Sequence, residues 1–249
     1  MRIKRVMLAA VGLAVGTGFA LGIEVTVYDG QGLNGATAPW AGQAGLGVAN
    51  EDNETEPGTY TGDAWDLEAL WWSGGNLSVV GTYDFLTGMA DGHDVPIGDL
   101  FIGEFNPNSP PDACMLLGDM DYYVTLNIAA RTYNVWANVN GYTAVSDISP
   151  STPWKGASSD SVPVATGVLD YLTGVADPFG LGLQTAVPGV RHNVVTLVGL
   201  GDYAANSDLH LTYKCGNDEI DGHVPDGGLS LMLLGLGVTG LAAVRRRTR

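Results

Sequence analysis

Carboxylates dominate the chemistry open to this sequence. Asp91, Asp94, Asp99 and Glu104 follow one another around Gly92, and oxygen ligands of this kind suit a hard cation such as calcium. Their spacing lacks the alternating ligands and closing glutamate of an EF-hand loop. Solvated turn carboxylates are therefore the simpler expectation, with Asp91, Asp94 and Asp99 kept as calcium candidates of incomplete pattern. Asp218, Glu219 and Asp221 form a second cluster open to the same two readings. A pair among 27 acidic residues can always be imagined for glycoside hydrolysis, which depends on separation in space rather than in sequence. Six tryptophans, at positions 40, 65, 71, 72, 136 and 154, offer flat faces for sugar rings, although indole more often serves a β core. The four histidines, His93, His192, His210 and His223, are scattered and read as surface or structural residues. No Gly-x-Ser-x-Gly, HExxH or phosphate-binding loop occurs. The expectation is a body without catalytic residues, resident metal or cofactor.

The two cysteines, Cys114 and Cys215, form no CxxC and have no histidine at metal-ligand spacing. In an exported chain such a pair is expected to be a disulfide. Closing a loop of that length would stabilise the fold by about 3–4 kcal/mol in the chain-entropy account.

Charge separates the ends from the middle. Seven of the eleven basic residues are Arg2, Lys4, Arg5, Arg245, Arg246, Arg247 and Arg249. Between them only Arg131, Lys155, Arg191 and Lys214 oppose all 27 acidic residues, a formal -23. Such a body repels nucleic acid and anionic headgroups.

Three positive charges in residues 1–5 precede a run of apolar and small residues to Leu21, the pattern of a secretory signal, with cleavage expected after Ala20 or Gly22. At the other end Val224-Pro225-Asp226-Gly227-Gly228 precedes sixteen uncharged residues, 229–244, and then Arg245-Arg246-Arg247-Thr248-Arg249. Sixteen helical residues span about 24 Å, and arginines that snorkel close the gap to a hydrocarbon core of about 30 Å. Positive charge stays on the cytoplasmic side, so the acidic body belongs outside. Gly235, Gly237 and Gly240 would weaken a helix in water but permit close helix approach in a membrane.

This three-part tail resembles the PEP-CTERM class of sorting signals, especially its VPDSG-CTERM variant, with Gly227 where that variant has serine. The resemblance implies that the chain is a substrate of exosortase, a membrane-embedded cysteine protease or transpeptidase often linked to extracellular polysaccharide. Signal peptidase, the secretion translocon and the membrane are the other implied partners. Residues 98–102, 122–136 and 152–155, and 213–220 with Gly222, resemble blocks of uncharacterised exported PEP-CTERM proteins. There a Cys-Gly-Asn-Asp segment, here 215–218, often ends the body. That second resemblance implies a β-rich exported domain and no chemistry.

The elements agree. Thirty-six glycines and twelve prolines break the middle into short segments, and apolar–polar alternation predicts strands at 24–28, 77–83, 100–105, 122–128, 133–139, 194–198 and 209–213. Asn140-Gly141 reads as a tight turn before a further short strand, while 162–175 is open between helix and loop. The chain thus divides into a signal peptide (1–22), an all-β, antiparallel sandwich-like domain (23–223) and a sorting tail (224–249). A non-enzymatic surface or matrix protein is expected, with a secreted carbohydrate-binding module and a polysaccharide hydrolase as the alternatives.

Overall fold

The computed structural model describes residues 22–27, 63–90, 92–104, 120–143, 154–157, 162–183, 189–214 and 218–225. Its strands are β1 (Ile23–Glu24), β2 (Thr26–Val27), β3 (Leu67–Ser73), β4 (Asn76–Gly81), β5 (Met89–Ala90), β6 (His93–Asp94), β7 (Leu100–Glu104) and β8 (Met120–Asn127). They continue with β9 (Thr132–Ala137), β10 (Tyr142–Thr143), β11 (Lys155–Gly156), β12 (Ala165–Val175) and β13 (His192–Val198). One turn of helix, α1 (Gly201–Ala204), leads into β14 (Ser207–Thr212) and β15 (Glu219–Val224). The protein is all-β.

Eleven strands make one antiparallel sheet in the order β1-β3-β4-β13-β12-β9-β8-β7-β14-β15-β2. The two outermost strands, β1 and β2, are consecutive pieces of chain separated by Val25 alone, so the sheet curls until its edges meet. Val25 joins them: its N–H donates to Leu70 O at 2.9 Å and its carbonyl accepts from His223 N at 2.9 Å. Nearby, the Leu70 N–H donates to Thr26 Oγ1 at 2.8 Å, and the Leu67 N–H donates to the Asp218 carboxylate at 2.6 Å. Closure of this kind removes the unpaired edges on which β proteins otherwise aggregate.

Alternation decides what faces inward. Leu209, Leu211, Ile220 and Val224 from β14 and β15 join Leu100, Ile102, Val124, Val135, Leu169, Leu197, Val79 and Leu70 in one buried core. Outward positions on β14 and β15 are Asp208, His210, Thr212, Glu219, Asp221 and His223. Residues 165–175, open between helix and loop in sequence, form the longest strand of the sheet. Two further strands of this sheet, β3 and β15, and the two-residue strands β5, β6 and β11 were not expected. The short strand after Asn140-Gly141 exists as β10, but it pairs with β11 rather than folding back on β9.

Because every neighbour is antiparallel, the connections fall at two ends of the curled sheet. At the exit end lie Gly22, the Gly74-Gly75 turn, the bend at 138–141, residues 162–164, α1 and Pro225. At the far end lie the long connection from β4 to β7, the turn between β8 and β9, the segment between β12 and β13, and Lys214.

Candidate functional site

The Val-Pro-Asp-Gly-Gly segment expected to be a sorting motif begins inside the folded body. Val224 is the last residue of β15, pairs with Ser207 and is fully buried, while Pro225 follows half-buried. Asp226, Gly227, Gly228, the apolar run and Arg245, Arg246, Arg247 and Arg249 lie outside the described residues, as do residues 1–21. Among the described residues no helix is long and apolar enough to cross a membrane. Cys114 and Cys215 also lie outside the described residues.

The carboxylate clusters divide. Asp91 lies outside the described residues, and Asp94 stands exposed in β6. Asp99 is buried, and its carboxylate accepts from the Gly156 N–H at 3.0 Å. Burial pushes this acid up to about 6, against the opposing Gly156 hydrogen bond and the nearby Lys155 charge. Its own N–H donates to Trp154 O at 2.9 Å, so Asp99 ties β11 to the edge of β7 from both main chain and side chain. The second cluster is not solvated: Asp218, Glu219 and Asp221 are all buried. Among the described residues no group of three or more His, Cys, Asp and Glu side chains is placed to hold a metal ion.

Three histidine–carboxylate pairs went unseen in the sequence. His210 Nδ1 lies 2.8 Å from Asp221 Oδ1, His223 Nδ1 lies 3.0 Å from Asp208 Oδ1, and His192 Nε2 lies 2.7 Å from Glu68 Oε2. The first two are directly opposed cross-strand pairs of β14 and β15. Only the register reveals them, because the partners are 11 and 15 residues apart in sequence. Burying an ionisable group next to its complement offsets the desolvation that each would suffer alone, so these pairs read as structural.

The described tryptophans are engaged in packing. Trp65 is in the core, and Trp72 packs on it from β3. Trp71 stacks on Phe179 with centroids 5.1 Å apart, and Trp136 stacks on Tyr123 at 6.1 Å while its Nε1 donates to Thr125 Oγ1 at 3.0 Å. Trp154 carries the Lys155 ammonium over its ring at 5.2 Å. None of these five is exposed, and Trp40 lies outside the described residues.

A depression of about 520 Å³ opens at the far end, between the β4–β7 connection and the β8–β9 turn. Asp94, Thr125, Asn127, Asn134 and Lys155 supply its polar lining, and Leu86, Ile97 and Leu126 supply apolar walls. Asn127 Oδ1 is taken by the Ala130 N–H at 3.0 Å, which fixes the rim. Carboxamide, hydroxyl, carboxylate and ammonium groups around apolar walls form a surface suited to a small hydroxylated ligand. Paired carboxylates for glycoside hydrolysis are lacking among its described lining residues, where Asp94 stands alone.

No protein family, no curated protein and no solved structure matches the chain. The fold therefore stands on its own geometry: an all-β domain whose eleven-stranded antiparallel sheet curls around the main core.

Proposed function

We propose that this chain is a non-enzymatic exported protein of the cell surface or extracellular matrix, delivered by residues 1–22 and processed by an exosortase at the tail beginning with Val224. The order of motif, apolar run and arginine cluster in residues 224–249 carries the reading. The end of β15 supports it, because the last strand among the described residues ends at Val224, where the tail begins. Pro225 and the glycines oppose continuation of a regular element, which leaves an extended peptide for a protease to bind. Residues from strands all round the curled sheet share the main core, which supports a sandwich-like body.

Pro225→Ala combined with Asp226→Ala tests this reading. Intact mass of the protein recovered from its native cell surface is expected to show wild type lacking both terminal segments and the variant retaining its tail. Equal masses for the two would refute recognition through the motif.

The depression at the far end favours a second reading, a carbohydrate-binding body in the same matrix setting. It predicts glycan-array binding that is lost in Asn134→Ala, whose side chain lines the depression. Turnover of a polysaccharide abolished by a single carboxylate change would instead point to the hydrolase.

A further inference from the structure

Both chain ends of the body leave the sheet at one place. β2 and β15 are antiparallel, with Thr26 opposite Gly222, and the His223 N–H bonds to Val25 O. β1 pairs with β3, Ile23 opposite Trp72, which puts Gly22 at the same exit end as Pro225. Between Pro225 and the first residue of the apolar run stand only Asp226, Gly227 and Gly228. Four steps of fully extended chain reach about 14 Å. Strands of six to eight residues set the two ends of the sheet about 20–26 Å apart. A tether this short cannot let the body turn over.

Side chains are distributed unequally along the same axis. Arg131 is in the β8–β9 turn, Arg191 leads into β13, Lys214 follows β14, and Lys155 lines the depression beside Asn127. All four basic residues between Arg5 and Arg245 therefore stand at the far end. The exit end exposes Ile23, Val139, Val162, Val164 and Val198, at 39–76% of their surface, with no basic residue among them. Exposed apolar side chains occur at the far end as well, Leu86 and Met89 for example, so exposure alone does not choose an end. The tether chooses.

Resting on the anchored-tail reading above, we infer that before the tail is processed the exit end is a membrane-apposed face whose exposed valines meet the uncharged part of the lipid surface. The far end, with its four cations and its depression, then points away from the membrane. Asp121 and Asp202 are exposed at the same end, so the contact is made by Ile23 and the valines between them. An acidic body gains nothing from headgroups of its own sign, and apolar side chains at the boundary are favoured by burial.

Photo-crosslinking tests the orientation. The full chain, reconstituted through its tail into phosphatidylcholine vesicles, carries a diazirine amino acid at position 139 or 162, or at position 86 or 214. Flotation with the vesicles reports anchoring, and lipid adducts report apposition. Capture at 139 and 162 is expected to exceed that at 86 and 214 by about tenfold. A twenty-residue Gly-Ser insertion after Pro225 is expected to abolish that excess while flotation persists. Flotation with equal capture at all four positions overturns the orientation alone. Failure to float overturns the anchoring reading and the orientation with it.

Discussion

Asp99 shows at the scale of one residue how a buried acid can serve as a clip. Its carboxylate and N–H hold both sides of residues 154–156 against β7, yet burial raises its pKa from the ordinary 3.8 to about 6. Between those values the folded protein binds a proton more tightly than the unfolded chain does. The stability linked to this group is therefore present at low pH and is lost as pH rises through the window. Asparagine copies the neutral acid and keeps an oxygen for the Gly156 N–H. Asp99→Asn is expected to be more stable than wild type at pH 7.5, by at most about 3 kcal/mol, with the difference closing by about pH 4. Urea unfolding of both proteins at the two pH values checks this, and a constant difference would contradict it. Glu24, also raised by burial, titrates alike in both proteins and cancels from the comparison.

At the scale of elements, the long strand β12 is fastened by an aromatic ring laid over a glycine. Tyr133 of β9 lies across Gly167 of β12, and its hydroxyl donates to Val198 O of β13 at 2.7 Å, so one side chain ties three strands. A Cβ at position 167 would fall inside the Tyr133 ring. Tyr133→Phe removes the hydrogen bond only and should cost about 1 kcal/mol. Gly167→Val displaces the ring and should cost about 3 kcal/mol or more. Thermal unfolding of the single and double variants separates the two effects, and additive losses would mean that ring and glycine do not share one contact. This arrangement explains why 165–175 was ambiguous in sequence. Val168 and Leu172 face outward while Ala165 and Gly167 face inward, so the apolar pattern does not alternate although the strand does. β3 was hidden for a related reason, since Leu67, Glu68, Ala69 and Leu70 are buried on both faces. Its Gly74-Gly75 turn, both residues with positive φ, was nonetheless a hairpin signal in plain view. β15 alternates strictly, but its acidic residues and its glycine drew attention to a carboxylate cluster instead. Strands such as β8, β9, β13 and β14, with one clean inner face, were legible. What remained illegible, the histidine–carboxylate pairs and the closure through Val25, depends on register between distant segments.

For the whole molecule, the unequal charge sets a cost that salt can relieve. The stretch between Arg5 and Arg245, formal -23, has its four cations gathered at the far end, which leaves the exit end without local compensation, and folding brings its acidic groups together. Self-repulsion of this kind weakens as the Debye length falls below the separation of the charges, from about 30 Å at 10 mM salt to under 8 Å at 300 mM. The full chain in neutral detergent is therefore expected to melt several degrees higher in 300 mM sodium chloride than in 10 mM. Calcium separates this diffuse effect from a specific ion site. Asp99 is committed to Gly156, Asp218 to Leu67 and Asp221 to His210, while Asp94 stands exposed. At matched ionic strength, calcium and sodium should then raise the melting temperature alike. A further rise that saturates at millimolar calcium would instead mean that some of the 27 carboxylates converge on an ion. A melting temperature insensitive to salt would show that the acidic surface is already compensated in the folded state.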